Sequence, residues 1–305
     1  MTSMRSETSF ETITPVFGNH SLLEDPMSAT ITVAEYAGAC YGVQRALDLV
    51  HKLASESDGP VRTLGPLIHN PQVVAGLEAS GVTVANEVPD DAGSTLVLRT
   101  HGVVPEIERQ ARENGLNVVD ATCPYVKRVH HAAERLQREG YQVLVVGESG
   151  HPEVEAILGH APGALAVADV DALDQVDLSK KVGVVVQTTQ AKATLDAVVC
   201  ELMGRAQEVC VVNTICEATS ERQGAAARLA STSDVMVVIG GRNSANTTRL
   251  AEICTTACPR THHIESPDEL EASWFDGASS IGVTAGASTP TAHIETLVKA
   301  IEALC

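Results

Sequence analysis

The chain has 305 residues, 44% of them hydrophobic, and a formal net charge of −18. That length supports two or three compact domains, and no apolar stretch is long enough to read as a membrane-spanning helix. The acidic balance argues against a nucleic-acid or membrane partner but leaves room for a small anionic ligand, because helix N-termini and hydroxyls bind phosphate without a cationic surface.

Residues 1–28 are polar and aperiodic and lack the apolar core of a secretory signal. They read as a disordered tail, or as lying upstream of a true start at Met27. Without such a signal, the eight cysteines read as reduced cytoplasmic thiols, free to bind metal, rather than as a disulfide framework. From residue 29, "AEYAGACYGVQRALDLVHKLA" closes a strand-like run at Cys40. It continues as a helix with Val43, Ala46, Leu47, Val50, Leu53 and Ala54 on one face. His69 precedes the helical "PQVVAGLEAS", and His101 lies between the strand "TLVLRT" and the helix "PEIERQARENG". "LNVVDATC" is a buried strand; Val126, Val129, Ala133 and Leu136 then recur at helical spacing, and Pro124 suits a first helical turn. Cys123 therefore occupies a strand-to-helix corner. Next come the strand "QVLVVGE" before His151, "KVGVVVQTT" ending at Thr188 and Thr189, and "EVCVVNT" before Cys216 and a weaker, alanine-rich helix. "DVMVVIGG" leads through the loop "GGRNSANTTRL" into the helix "TTRLAEICTTA", and "SSIGVTAG" ends the strand pattern.

This alternation predicts an α/β fold of mainly parallel sheets with crossover helices. The near-absence of alternating apolar and polar strands predicts sheets covered on both faces. Three small pseudo-equivalent lobes are expected, at 29–122, 123–213 and 214–305, each presenting one cysteine at a corner, with the three corners meeting at a common axis.

A single buried cysteine is usually a small hydrophobe, and Cys200, Cys210, Cys254, Cys258 and Cys305 read as structural. Three at equivalent corners point instead to a shared site. Three thiolates without a fourth fit either an open zinc site or an iron–sulfur cluster with one iron unligated by protein. His69, His101 and His151 each sit where a helix N-terminus adds backbone N–H groups, the makings of an anion site. Glu153, in the first turn after His151, is the candidate proton donor. Ser244, Asn246 and Ser288 are the right residue types to donate to phosphate oxygens, and Thr188 supplies a hydroxyl nearby.

In order along residues 31 to 305, the motifs "GACYGVQRAL", "GPLIHNPQVV", "THGV", "DATCP", "GHPEVEAILG", "QTT", "NTICEATSERQ", "NSANTTRL" and "GVTAGASTP" resemble those of the 4-hydroxy-3-methylbut-2-enyl diphosphate reductases. The resemblance implies a three-lobed fold around one 4Fe–4S cluster held by Cys40, Cys123 and Cys216 with an open iron. It implies a diphosphate held by His69, His101, His151, Ser244, Asn246 and Ser288, with Thr188 near the substrate alcohol and Glu153, beside His151, delivering protons. The implied reaction is reductive loss of the allylic hydroxyl, giving isopentenyl and dimethylallyl diphosphates, with reduced ferredoxin or flavodoxin as electron donor. Two departures stand out: Ala245 occupies a place where many family members have a second serine, and "GACYG" replaces the commoner "GFCAG". An acidic donor meeting an acidic chain requires a local basic dock, for which Lys127 and Arg128 are the candidates. A second three-lobed family, similar to quinolinate synthase, also uses three cysteines and an open iron, but the anion cradle and "HPE" argue against it.

Overall fold

The computed structural model describes residues 29–305; the expected tail at 1–28 lies outside the described residues. The chain opens with β1 (Thr30–Val33) and α1 (Tyr41–Glu56). A first run then gives β2 (Val61–Leu64), α2 (Pro71–Ala79), β3 (Val82–Ala85), β4 (Thr95–Leu98), α3 (Pro105–Glu113) and β5 (Asn117–Asp120). The second run, α4 (Pro124–Arg138), β6 (Gln142–Val146), α5 (Pro152–His160), β7 (Leu165–Val167), β8 (Lys181–Val186), α6 (Lys192–Arg205) and β9 (Glu208–Val211), repeats the plan. The third is α7 (Glu217–Ala230), β10 (Val235–Ile239), α8 (Ala245–Ala257), β11 (Thr261–Ile264), β12 (Ser280–Ala285) and α9 (Thr291–Glu302).

The strands form three four-stranded sheets, in the orders β3-β2-β4-β5, β7-β6-β8-β9 and β11-β10-β12-β1, and every pairing is parallel. Continuous apolar runs make them. In β6, Val143 and Val145 enter one core with Val129, Ala133 and Leu136 of α4, while Leu144 and Val146 enter the core on the opposite face. The other two sheets are likewise buried on both faces, as parallel sheets require.

One expected boundary is corrected. The segment from residue 29 does not open the first lobe: β1 pairs with β12, Thr30 facing Ser280 and Val33 facing Val283, and so completes the third sheet. The strand ends at Val33 rather than running to Cys40, because the chain turns through Tyr36 at φ 63° and Gly38 at φ 102°. Only then does α1 cross to the first sheet, burying Val43, Ala46, Leu47 and Val50 against Val61, Val82 and Val97. With this exchange the three sheets have the same strand order, and β1 takes the place held by β5 and β9 in the others. The strands β2, β3, β7 and β11 were not legible in the sequence: β2 (VRTL) lies inside its sheet but is four residues long and interrupted by Arg62. The other three are edge strands of three or four residues with few fully buried positions, so no long apolar run marks them.

Candidate functional site

Leaving β1 aside, in each sheet the first strand lies inside, the second goes to one edge and the third returns to the other side of the first. The order therefore reverses between β2 and β4, β6 and β8, and β10 and β12. Open parallel sheets bind ligands at the carboxyl ends of such pairs. The predicted anion and proton residues follow these strands: His69 after β2, His101 after β4, His151 and Glu153 after β6, Thr188 after β8, Ser244 and Asn246 after β10, and Ser288 after β12.

The cysteines follow the remaining edge strand of each sheet, β1, β5 and β9. Cys40, Cys123 and Cys216 are the N-cap residues of α1, α4 and α7. Each backbone N–H donates to the loop beside it: Cys40 to the carbonyl of Ala287 at 3.1 Å, Cys123 to that of Thr100 at 3.0 Å, and Cys216 to that of Thr188 at 3.0 Å. The corners are thus equivalent in hydrogen bonding as well as in topology. All three are free, half-buried thiols. Burial pushes the Cys123 thiol up to about 11, against the N–H groups of Tyr125 and Val126, which favour the thiolate; burial likewise raises Cys216. At Gly42, an added Cβ would stand 2.6 Å from Cys123 Sγ and 3.9 Å from Cys40 Sγ, so only glycine leaves room for the two sulfurs. Among the described residues, no three or more His, Cys, Asp or Glu side chains are placed to hold a single metal ion.

One cavity is lined by every residue singled out for the site. The rings of His69, His101 and His151 form a triangle with centroids 4.4, 5.5 and 5.6 Å apart. Both ring nitrogens of His69, Nδ1 of His101 and both amide atoms of Asn246 are buried without a protein partner. Such orphaned groups are costly unless a ligand satisfies them. His151 Nδ1 accepts from the Glu153 N–H at 3.1 Å, which leaves the proton of the neutral ring on Nε2. Burial first, then the charges of His69 and Arg99, holds His151 down at about 4. Burial also lowers His69 and, far more, His101. Ser244 caps α8, its Oγ accepting from the Thr247 N–H at 3.4 Å. Ala245, first residue of α8, lines the cavity without a hydroxyl.

Glu153 is 2% exposed. Its Oε1 accepts from the Thr188 N–H at 2.6 Å and its Oε2 meets Thr188 Oγ at 2.8 Å. Burial outweighs these two bonds and raises the carboxyl from 4.5 to about 7. At neutral pH the group is therefore poised between acid and base, as proton transfer requires. The remaining cysteines stand apart: Cys254 and Cys258 pack in the third lobe's core, Cys210 is half-buried, and Cys200 and Cys305 are exposed. Lys127 is no free docking charge, since its Nζ is 2.5 Å from Asp120 Oδ2. Arg128 is exposed, 5.9 Å from the Tyr125 ring centre.

A family model described as LytB protein matches residues 31–302. The chain belongs to the LytB family. It is 46% identical over 273 residues to the 4-hydroxy-3-methylbut-2-enyl diphosphate reductase of Geobacter sulfurreducens, covering 89% of this chain and 96% of that one. To the enzyme of the same name from Aquifex aeolicus it is 45% identical over 279 residues, covering 90% and 96%. A solved structure of (E)-4-hydroxy-3-methyl-but-2-enyl diphosphate reductase, the terminal enzyme of the non-mevalonate pathway, is 45% identical and superposes with a TM-score of 0.68 over 90% of this chain and 99% of that one. The E-1-hydroxy-2-methyl-but-2-enyl-4-diphosphate reductase of Plasmodium falciparum, 26% identical, superposes with a TM-score of 0.85 over 89% and 87%.

Sequence reasoning passed over two residues of this LytB site. Arg99, two residues before His101, acts on all three histidines and has a buried Nε with no partner. Arg222 lines the cavity itself. Its signal was present: Thr219, Arg222, Ala226 and Ala230 share one helical face of α7, and all are buried. An arginine on an otherwise small and apolar face is the anomaly to look for.

Proposed function

We propose that this protein is a 4-hydroxy-3-methylbut-2-enyl diphosphate reductase. The carrying observation is that a buried acid, an anion cradle with unsatisfied donors and three equivalent thiols share one cavity. The reaction takes two electrons and two protons, breaks the allylic C–O bond, and releases water with isopentenyl or dimethylallyl diphosphate.

The residues fit an iron–sulfur group. Three free thiols at helix N-termini provide the donor set, and the notch at Gly42 keeps Cys123 and Cys40 from being pushed apart. Cys40, Cys123 and Cys216 would hold a 4Fe–4S cluster that retains one iron without a protein thiolate and, when bound, supplies Lewis acidity and electrons. A one-electron carrier of the ferredoxin or flavodoxin type delivers those electrons.

The chain's own residues do the rest. His69, His101, His151, Ser244, Asn246 and Ser288 hold the diphosphate through N–H and O–H donors, with the N-termini of α5 and α8 adding their dipoles. No lysine is needed, because preorganised donors lining the cavity stabilise charge without reorganising. Protonated Glu153 donates through Oε2 to Thr188 Oγ, and the Thr188 hydroxyl proton passes to the departing oxygen. A poor leaving group thereby departs as water.

The test is iron and acid-labile sulfide per chain after anaerobic purification, for wild type and Cys216→Ser, followed by assay of the allylic diphosphate with a chemical reductant. Three to four irons per chain, lost in the variant, together with turnover of the diphosphate, uphold the reading. Wild type without iron, or iron indifferent to Cys216, rejects it.

A further inference from the structure

Arg222 is 3% exposed and lies in the wall of the central cavity. Its Nη2 donates to the carbonyl of Gly38 at 2.7 Å, in the loop that leads to Cys40. Its Nη1 donates to the carbonyl of Ala218 at 2.9 Å, in the first turn after Cys216. Its Nε is buried and has no partner. One guanidinium thus joins two of the three cysteine corners, across a separation of 184 residues at Gly38.

The charge is unusual in its setting. Burial lowers the Arg222 guanidinium, and the groups that offset it are, in order, the sulfurs of Cys40 and Cys216 and then Glu221, which is exposed to solvent. A buried guanidinium without a carboxylate partner is costly, and removing one partner of a buried pair leaves the other stranded. The arrangement makes sense if the centre of the cavity carries negative charge and gains more on reduction.

We propose that Arg222 is a positioning residue for the central redox group: its fork locks the Cys40 loop to the start of α7, and its positive charge favours the state that has accepted an electron from the carrier. The inference rests on the three-cysteine cluster reading. It assigns part of the control of the cluster's potential to a side chain that is not itself a ligand of the metal. Charge and hydrogen bonding around the sulfurs are among the levers that set such potentials, and loss of a residue supporting metal ligands typically lowers metal affinity about 10- to 100-fold.

The experiment uses anaerobically purified holoprotein of wild type, Arg222→Met and Arg222→Lys. Iron and sulfide are counted, and the midpoint potential is read by dye-mediated titration. The expected result is a more negative midpoint in Arg222→Met, with Arg222→Lys staying closer to wild type because it keeps the charge. Loss of iron from Arg222→Met but not from Arg222→Lys supports the same role. Equal loss from both variants makes the fork purely structural and overturns the electrostatic role; unchanged iron with an unchanged midpoint in Arg222→Met overturns both parts. Wild type that holds no cluster is a separate outcome, and it removes the three-cysteine reading and this one together.

Discussion

Glu153 concentrates the residue-scale chemistry. As the proposed acid of the proton relay it must be protonated, and its carboxyl is raised to about 7, so turnover is expected to fall as pH rises through about 7. A pH profile of kcat checks this. Glu153→Gln is expected to keep iron content and pyrophosphate binding while losing about 100-fold or more in kcat. The same shift has a consequence for stability. Between the ordinary value of 4.5 and about 7, the folded state binds more protons than the unfolded state, so stability falls as pH rises through that window. The ionised carboxylate above it costs on the order of 3 kcal/mol. Glu153→Gln is therefore expected to be more stable than wild type at pH 8 and no more stable at pH 4, measured by urea unfolding. At this scale the motifs carried most of the site, because cysteine, histidine and glutamate are chemically distinctive letters. Arg99 and Arg222 escaped notice because a buried cation is anomalous only once burial is known.

The helix N-terminus is the working element. Cys40, Cys123 and Cys216 cap α1, α4 and α7, His151 caps α5, and Ser244 caps α8, so dipoles from all three lobes point into one cavity. Two substitutions test how far these caps are set by their neighbours. Gly42→Ala places a Cβ 2.6 Å from Cys123 Sγ; it is expected to cost about 1–3 kcal/mol from overpacking and to lower iron per chain. Asn70 caps α2 by accepting from the N–H groups of Gln72 and Val73, and its Nδ2 donates to the Ser288 carbonyl at 2.8 Å. Asn70→Ala is expected to cost about 1 kcal/mol and to weaken pyrophosphate binding, because it frees His69 and Ser288 together; calorimetric titration checks it. Most helices were legible from their apolar spacing or from proline in first turns, whereas α6 and α9 were not read from the sequence. Nor were the short strands β2, β3, β7 and β11, since three or four residues give no period to read.

The whole molecule is a ring of three sheets closed by an exchange at its start. The N-terminal strand β1 completes the last sheet, and bonds such as Asn70 to Ser288 and Arg249 to Glu148 tie neighbouring lobes. The overall charge of −18 opposes approach of an acidic electron carrier, and Lys127, occupied by Asp120, offers little relief. Raising ionic strength should therefore lower the apparent KM for such a carrier; a KM that rises with salt would reveal a basic dock instead. By itself the sequence determined the α/β class and the three cysteine corners and singled out the candidate acid and anion-binding residues, because periodicity and residue chemistry are local properties. Only the tertiary structure decided that β1 belongs to the third sheet, that the ligands follow the reversal points of all three sheets, and that Arg222 spans two cysteine corners. Those facts depend on which segments pair across most of the chain length, and pairing partners leave no mark in the local pattern of either segment.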